Sequence, residues 1–335
     1  METTKFRIGI VGVTGIAQIA HLPILKGMKN VEVVALCDSN VDHAHRIANK
    51  FNVPRVYSDI EEMLQFSEID LVDVCTPVQF HVPNALAALE NGKHVLIEKP
   101  FADNYSDAEE IVRAATRCDR NILSVQNLRY RPDAIILRNI IDHKLLGNIR
   151  YAKSGWLRRN ERWRMPATEE FEEADVLKLL GLQLLDLDLW LLGNPGIRSV
   201  KATTFQLSPD EKEDSAFVQV QLENEVMLTA EIGWNMKCGK DFRFVNLVGD
   251  NGVARLNPLT IFRDQNGKLV DITPSQRIVQ DKSFQRSYEN ELSHYVFCLS
   301  HHQKIESHRQ EIIQRFRLLD AIKKSVSTRK EIEVE

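Results

Sequence analysis

The chain has 335 residues, of which 43% are apolar and 27% charged, with a formal net charge of −4 and five cysteines that form no C-x-x-C pair. The length predicts two domains, the weak charge argues against nucleic acid and anionic membranes, and no run approaches the roughly 18 apolar residues of a membrane span. The odd number of cysteines, and a strand pattern at the start in place of a signal segment, predict a cytoplasmic protein with reduced, buried thiols and no metal site.

The first third of the chain alternates short, β-branched strands with helical patterns. Because the strands are almost continuously apolar, they predict a parallel sheet that is covered on both faces. Two of the helices begin with the spacing of a capping box, in which Ser58 pairs with Glu61 and Ser106 with Glu109. The four strand patterns are "FRIGIVG", "VEVVALCD", "DLVDVCTP" and "HVLIEK".

After about residue 125 the strands become longer, and "LENEV", "GDNG" and "DQNGK" predict hairpin turns between them. The alternation in "FVQVQL" predicts a sheet with one face that is wetter or faces a partner. The tail from Tyr288 to about Ser327 has a helical pattern. We therefore expect an α/β protein with a doubly wound Rossmann domain over residues 1–125 and an α+β domain over 126–335, built on a large, mainly antiparallel open sheet.

The loop after the first strand, "GVTGIA", has the context of a dinucleotide fingerprint, since it follows a strand and opens a helix. On the pattern G-x-G-x-x-G/A, Gly12 takes the first place, Thr14 the second and Ala17 the third. Gly12 allows the tight turn, and Ala17 is small enough for helix packing against the strand. The loop residues that we expect to hold the cofactor are Gly12, Thr14, Gly15, Ile16 and Ala17.

Asp38 ends the second strand, about 20 residues after this loop, where an acid accepts hydrogen bonds from the ribose hydroxyls of NAD. Ser39 and Asn40 follow it, without an arginine to hold a 2′-phosphate, so NAD is favoured over NADP. The alternative is that Asp38 only caps the next helix.

The strand pattern "HVLIEKP" ends with Glu98, Lys99 and Pro100. Ligands of such sheets lie beyond the carboxyl ends of the strands, so Lys99 is placed to face a nicotinamide and its substrate. A lysine there can hold a substrate oxygen, stabilise alkoxide charge or shuttle a proton. The alternative is an exposed lysine at a strand end.

This segment resembles the Glu-Lys-Pro signature of the Gfo/Idh/MocA oxidoreductase family. The resemblance extends over the whole chain through "GIAQIAHLPIL", "VCTPVQFHVPNALAALENGKHVLIEKP", "VQNLRYRPD", "LLGNIRYAKSGW", "LLDLDLWLLG", "YENELSHYVFCL" and "LLDAIKKSV". It implies an N-terminal Rossmann domain, a second domain whose open sheet forms a homodimer or homotetramer interface, and NAD(P)-dependent redox chemistry on sugar or cyclitol hydroxyls.

The resemblance also assigns residues to the cofactor and to the substrate. Thr76, Pro77 and His81 match a segment that contacts the cofactor. Glu98 and Lys99 are also assigned to cofactor binding. Asn127 and Arg129 match a segment that lines the cleft, and we assign the first to the cofactor and the second to the substrate.

One helix departs from the family pattern. Where the family usually reads D-x-G-x-H-x-x-D, with the histidine as general acid and base beside the lysine, this chain has Leu179, Gly181, Gln183 and Asp186. A glutamine donates and accepts hydrogen bonds but does not titrate near neutrality. The assignment that follows is Lys99 for proton transfer, Gln183 as an orienting group and Asp186 as an electrostatic partner.

The periodicity of an α-helix places three polar residues of this segment on one stripe about 80° wide, if each residue turns the helix by about 100°. They are Asp175, Gln183 and Asp186, while Asp188 lies away from them. Asp175 and Gln183 are therefore also candidates for substrate binding. The alternative is that Gln183 and Asp186 only form hydrogen bonds to the backbone at the domain junction.

The missing histidine leaves three interpretations open. Lys99 takes over proton transfer, or the proton passes to water, Asp175 or Tyr130, or the chain binds nucleotide and ligand with little or no turnover. The last describes a sensor or regulatory protein of the same fold.

The segment "WLRRNERWR" combines arginines with Trp156 and Trp163. Tryptophan suits the face of a sugar, so Trp163 is a candidate substrate-binding residue, and arginines suit an anionic sugar. The alternative is a solvated loop that is balanced by the acidic "EEFEEAD" after it. Nucleic acid is not expected, because the patch is short and the chain is mildly acidic.

Overall fold

The structure is a computed structural model that describes residues 5–65, 68–159, 175–206, 214–236, 240–274, 283–303 and 305–334. The chain divides into two compact units. The first comprises Met1–Tyr130 and Phe284–Gln314, and the second Arg131–Ser283 and Arg315–Glu335. Much of the helical tail belongs to the first unit, whereas the sequence predicts a second domain over residues 126–335.

The first unit contains a six-stranded parallel sheet with the order β3-β2-β1-β4-β5-β6. This order reverses between β1 and β4, and the crevice at such a reversal is where doubly wound sheets bind their ligands. The elements are β1 Phe6–Val11, a π-helical turn Ala17–His21, α1 Leu22–Gly27, β2 Val31–Cys37, α2 Val41–Phe51, β3 Arg55–Tyr57, α3 Ile60–Gln65, β4 Leu71–Val74, a 3₁₀ turn Val78–Phe80, α4 His81–Glu90, β5 His94–Ile97, α5 Tyr105–Arg117 and β6 Ile122–Ser124.

The central strands of this sheet are buried, as expected for parallel strands with both faces covered. Ile8 and Ile10 of β1 and Leu96 of β5 are at most 1% exposed. The same core cluster includes side chains of a helix more than 150 residues further on, among them Leu292 and Tyr295. The tail helix is therefore an integral part of the first unit.

The second unit contains a nine-stranded sheet with the order β14-β13-β12-β11-β7-β10-β9-β8-β15. Only the β7 and β10 pair is parallel, and the other pairs are antiparallel. The remaining elements of the chain are α6 Pro132–Asp142, β7 Ile149–Arg159, a π-helical turn Leu177–Gly181, α7 Leu182–Leu191, β8 Ile197–Phe205, β9 Ser215–Leu222, β10 Met227–Met236, β11 Phe242–Gly249, β12 Gly252–Leu256, β13 Thr260–Gln265, β14 Lys268–Asp271, α8 Ser283–Ser300, α9 Glu306–Thr328 and β15 Ile332–Glu333.

The two faces of this sheet differ, as the alternation in β9 predicts. Val218 and Val220 are buried on one face, whereas Phe217 and Gln219 are exposed on the other. The α/β fold with a parallel and a mainly antiparallel sheet is thus confirmed. Within the described ranges, no helix is long and apolar enough to cross a membrane.

The two predicted capping boxes are wrong, although both helices exist. Asn104 caps α5 and accepts the backbone N–H of Asp107. Asp59 accepts the N–H of Glu61 at the start of α3. In both cases another short polar side chain forms the capping bond, one residue after Ser58 in α3 and two residues before Ser106 in α5, because all such side chains can act as N-caps.

Candidate active site

Gly12 follows β1 at the point where the sheet order reverses. Its φ is +83°, and a Cβ there would lie 2.8 Å from the carbonyl carbon of Cys75 and from the amide nitrogen of Thr76. Any side chain would therefore collide with the backbone after β4. The first place of the fingerprint therefore requires a glycine, because the two backbone segments approach closely there.

The rest of this loop is open at its tip and packed at its end. Thr14 and Gly15 are exposed, and a Cβ on Gly15 would meet no described atom within 4 Å. Ile16 is half-buried and Ala17 is fully buried. The tip of this loop is therefore open at Gly15, while Ala17 packs the helix onto the sheet.

Asp38 does not cap α2, because Asn40 does so by accepting the N–H of His43. Instead, the Asp38 carboxylate accepts the N–H groups of Val13 and Asn40, both at 2.9 Å. It thereby ties the end of β2 to the loop after β1. A carboxylate has about four acceptor positions, so lone pairs remain for ribose hydroxyls.

Thr76 and Pro77 follow β4, where Thr76 is half-buried and Pro77 exposed. The buried His81 ring lies 2.7 Å from the Thr76 carbonyl oxygen and 3.2 Å from the Phe101 carbonyl oxygen. Burial lowers the pKa of His81, against the effect of these carbonyl groups. The His81 ring therefore lies between the Thr76 turn and the segment after β5, and in its neutral form it donates to only one of the two carbonyl oxygens.

Lys99 follows β5 and is half-buried. Its Nζ donates a hydrogen bond to Oδ1 of Asn127 and lies 5.3 Å from the centre of the Tyr288 ring. The backbone N–H of Lys99 donates to Oε2 of Glu98 at 2.8 Å. Glu98 is only 5% exposed, so it supports the lysine from the interior of the sheet.

A buried histidine that we had not singled out completes this charge arrangement. His21 is fully buried, with Nδ1 2.7 Å from Asp73 and Nε2 2.9 Å from Glu98. Burial alone would lower the pKa of His21, but the Asp73 charge raises it well above its ordinary value. Burial in turn raises the pKa of Glu98, but His21 and Lys99 bring it below its ordinary value. The four side chains therefore alternate in charge from Asp73 to Lys99.

The same histidine could serve a metal ion together with Asp73 and Cys75, since their ligand atoms lie within 4.8 Å of one another. The chemistry of this set does not fit, because both nitrogens of His21 already donate to carboxylates. Burial also raises the pKa of the Cys75 thiol to about 12, which keeps it protonated. A metal needs the thiolate and a neutral imidazole.

Further residues near Lys99 come from α8. Asn127 is 3% exposed, and its Nδ2 donates to the hydroxyl of Ser287 at 2.8 Å. Oε1 of Glu291 accepts the N–H of Gln126 at 2.5 Å, and burial raises the pKa of Glu291 to about 8. No local motif joins residues so far apart in sequence. In the sequence, the signal for these neighbours is the polar side chain at every fourth position of α8, at Ser287, Glu291 and Tyr295.

Arg129, predicted to bind substrate, is 6% exposed and forms an ion pair of 2.5 Å with Glu311. Both residues belong to the first unit. A buried arginine needs such a partner, because an unpaired charge in the interior is costly. The structure thus gives Arg129 an acidic partner within the protein.

In the second unit, Asp175 leaves the predicted polar stripe, whereas Gln183 and Asp186 both lie on the regular helix α7. Asp175 accepts the N–H of Leu177 at 2.9 Å and lies 2.9 Å from Nζ of Lys323. The turn Leu177–Gly181 is π-helical, with i to i+5 hydrogen bonds. The extra residue rotates everything after it by about 100°, so Asp175 does not keep the predicted angle to Gln183.

The polar residues of α7 have different surroundings. Gln183 is half-buried, its Nε2 donates to the carbonyl oxygen of Leu179, and its Oε1 accepts no hydrogen bond from the described residues. Asp186 is 1% exposed, and its Oδ1 lies 3.1 Å from Nε of Arg315. The predicted electrostatic partner of Lys99 therefore has a partner of its own in the core of the second unit.

Asp188, which we had set aside, is fully buried and accepts the Ser154 hydroxyl at 2.5 Å. Its Oδ1 has no partner among the described residues. Trp163 lies outside the described residues. Of the same segment, Arg158 lies 3.2 Å from Asp241, and the Trp156 ring faces the guanidinium of Arg243 at 5.0 Å.

Comparisons with known proteins match both units. Residues 6–126 match a family described as "Oxidoreductase family, NAD-binding Rossmann fold", and residues 135–255 match the "GFO/IDH/MocA C-terminal domain". The matches cover most of the chain and follow the order that the sequence resemblance implies.

Three individual proteins are similar to this chain at identities between 18% and 29%. The D-glucoside 3-dehydrogenase of Escherichia coli K12 is 28% identical over 88% of this chain and 89% of its own length. An α-N-acetylgalactosaminidase of Shewanella oneidensis is 29% identical, but over 48% of this chain and 36% of its own. A levoglucosan dehydrogenase in complex with NADH and L-sorbose superposes with a TM-score of 0.88, covering 99% of each chain at 18% identity.

Proposed function

This chain belongs to the GFO/IDH/MocA family of NAD-binding oxidoreductases, and on that premise we propose that it transfers hydride between a nicotinamide and a hydroxyl-bearing carbon of a sugar or cyclitol. The observation that carries the proposal is the placement of Lys99. This lysine lies at the carboxyl end of β5, is held by Asn127, and has a buried row of alternating charges behind it.

The residues of the first loop fit a dinucleotide. Gly12 lets the backbone approach, and the half-buried carboxylate of Asp38 has lone pairs left for ribose hydroxyls. The same negative charge would repel a 2′-phosphate, and Ser39 and Asn40 offer no compensating positive charge. We therefore propose NAD rather than NADP as the cofactor.

The bound nicotinamide supplies the hydride chemistry, and the protein supplies position and electrostatics. We assign Lys99 to the substrate hydroxyl, where its charge stabilises a developing alkoxide and its nitrogen moves the proton. Oε1 of Gln183 accepts no hydrogen bond from the described residues and can accept one from a hydroxyl group, but a glutamine cannot take the proton. Asp186 and Glu98 act as buried supports rather than as contacts of the ligand.

The relatives favour a sugar ring as the substrate. Their names are D-glucoside 3-dehydrogenase and levoglucosan dehydrogenase, and both denote oxidation of a sugar derivative. An uncharged, polyhydroxylated ring suits Lys99, since an ammonium group holds a hydroxyl oxygen without requiring an ionic partner. A reducing, cytoplasmic location agrees with the four free cysteines among the described residues.

The test is Lys99→Ala, assayed with NAD and a panel of glucosides, levoglucosan, inositols and N-acetylgalactosaminides by the absorbance of the reduced cofactor. We expect turnover to fall at least about 100-fold, the range typical of a lost acid or base, while NAD affinity stays nearly unchanged. The control is Lys29→Ala, at an exposed lysine of the first unit. Unchanged turnover in Lys99→Ala would remove the assignment.

A second candidate function is a NAD-dependent sensor without turnover, and the observation that favours it is Gln183 in place of a titrating residue. Calorimetric titration with NAD and NADH separates the two functions. Tight cofactor binding with no turnover of any panel compound supports the sensor, and turnover that depends on Lys99 rules it out.

A further inference from the structure

One face of α8 forms hydrogen bonds with the short segment at the end of β6. Ser287, Glu291 and Tyr295 are spaced by four residues, which places them on the same helix face. The hydroxyl of Tyr295 donates to the carbonyl oxygen of Ser124 at 3.0 Å. Oε1 of Glu291 accepts the N–H of Gln126, and Ser287 accepts Nδ2 of Asn127. The segment Ser124–Asn127 is therefore held at three successive points.

The hydrogen bond between Ser287 and Asn127 has a defined direction. A serine hydroxyl has one proton, and Ser287 donates it to the carbonyl oxygen of Phe284 at 2.6 Å. Toward Asn127 its oxygen can then only accept, so the NH₂ end of the amide must face it. The other end, Oδ1, faces the ammonium of Lys99, which can only donate. The donor and the acceptor are thus fixed in each of the three hydrogen bonds that connect Lys99, Asn127, Ser287 and Phe284.

We propose that Ser287 is a positioning residue that holds the Asn127 amide with its oxygen on Lys99. The catalytic meaning of this role rests on the proposed function, but the orientation itself does not. The amide oxygen takes one N–H of the ammonium group and favours its charged form. Without the serine hydroxyl, the buried NH₂ group has lost its acceptor and can turn toward Lys99, which it repels.

The first readout needs no turnover. In protein labelled with ¹³C at Cε of lysine, the titration midpoint of Lys99 is followed by NMR and assigned with Lys99→Arg. We expect Ser287→Ala and Ser287→Val to lower the midpoint by about one pH unit, because a hydrogen bond to the charged form is lost. Ser287→Thr has the volume of valine but keeps the hydroxyl, and its midpoint should match the wild type.

The matched control is Ser293→Ala, since Ser293 is exposed on the same helix. Its midpoint should equal that of the wild type. A Lys99 midpoint that is unchanged in Ser287→Val, relative to Ser287→Thr, overturns the proposal. If Ser287→Ala fails to fold, as judged by its thermal transition, the threonine and valine pair still decides the question.

The second readout is kinetic and concerns the proposed function. We expect Ser287→Val to lower kcat about tenfold while KM for NAD stays unchanged, and Ser287→Thr to restore kcat. A shifted midpoint in a protein that turns over no panel compound leaves the orientation standing and removes the proposed function. An unshifted midpoint in an enzyme whose turnover depends on Lys99 removes the proposed orientation and leaves the proposed function standing.

Discussion

Lys99 is distinguished by what surrounds it rather than by its position at a strand end alone. Asn127 contacts its ammonium group, Tyr288 presents a ring at 5.3 Å, and Glu98 accepts its backbone N–H. Behind Glu98, His21 is positively charged because Asp73 outweighs the cost of burial. An exposed, unassisted lysine needs none of these partners, so the arrangement favours a functional role.

Gln183 stands where the sequence resemblance predicts a histidine, and it provides a test of the site. In Gln183→His we expect the rate to acquire a new pH-dependent limb near the ordinary imidazole pKa, roughly 6.5, because a titrating group then replaces a neutral amide. The measurement is kcat/KM for the best panel substrate between pH 5 and 9. A profile identical to that of the wild type shows that residue 183 does not take part in proton transfer.

The helix α7 is joined to the rest of the second unit by two buried carboxyl groups. Asp186 pairs with Arg315 of α9, and Asp188 accepts the Ser154 hydroxyl of β7. Burial raises the pKa of Asp188 to about 8, and the charge of Asp186 adds to this effect against the Ser154 bond. The Asp188 carboxyl is therefore mainly protonated at pH 7, and its Oδ1 has no partner among the described residues.

This shifted acid makes stability depend on pH. The folded chain keeps the Asp188 proton up to about pH 8, whereas the unfolded chain releases it near pH 4, so the free energy of unfolding falls as the pH rises between these values. Asp188→Asn does not titrate, and we expect it to be more stable than the wild type at pH 9 by on the order of 2 kcal/mol. Urea unfolding at pH 5, 7 and 9 measures the difference.

The slope should become smaller rather than disappear, because burial also raises the pKa of Glu291 to about 8. Asp42→Asn, at an exposed acid, is the control and should leave the slope unchanged. Equal slopes for the wild type and Asp188→Asn would show that Asp188 is ionised in the folded protein.

Local sequence signals were reliable for turns and less so for helix ends. The three predicted hairpin turns connect β9 to β10, β11 to β12 and β13 to β14. In the last, Asn266 and Gly267 both have positive φ, as a tight hairpin turn requires. The caps at Asp59 and Asn104 were missed because several neighbouring residues can cap, and only the path of the chain selects one.

At the scale of the molecule, the large sheet leaves one face open. Phe217 of β9 and Phe242 of β11 are 49% and 46% exposed, and Val248 and Val253 are also exposed. Exposed apolar side chains of this size on one sheet are typical of a surface that a partner covers. We propose that a second copy of the chain covers this face, in a homodimer or homotetramer.

The change Phe217→Lys tests this assembly, because it places a charge on the exposed apolar face of the sheet. We expect the mass in solution, measured by light scattering after size-exclusion chromatography, to fall toward that of the monomer. Phe297→Lys is the matched control, since Phe297 is 53% exposed on α8 and lies outside the sheet. A monomeric wild type, or a mutant of unchanged mass, contradicts the proposed interface.

The sequence by itself determined the two-part α/β architecture, the fingerprint loop at Gly12, Lys99 at a strand end and the family. The architecture, the loop and the strand end follow from patterns within about twenty residues, since strand periodicity and turn residues are local properties, whereas the family follows from fragments spread over the whole chain. Only the tertiary structure decided that Ser287 and Glu291 lie beside Lys99, and that Asp186 is paired. Such neighbours depend on chain segments that return to the same core, and burial, which sets their protonation, exists only after folding.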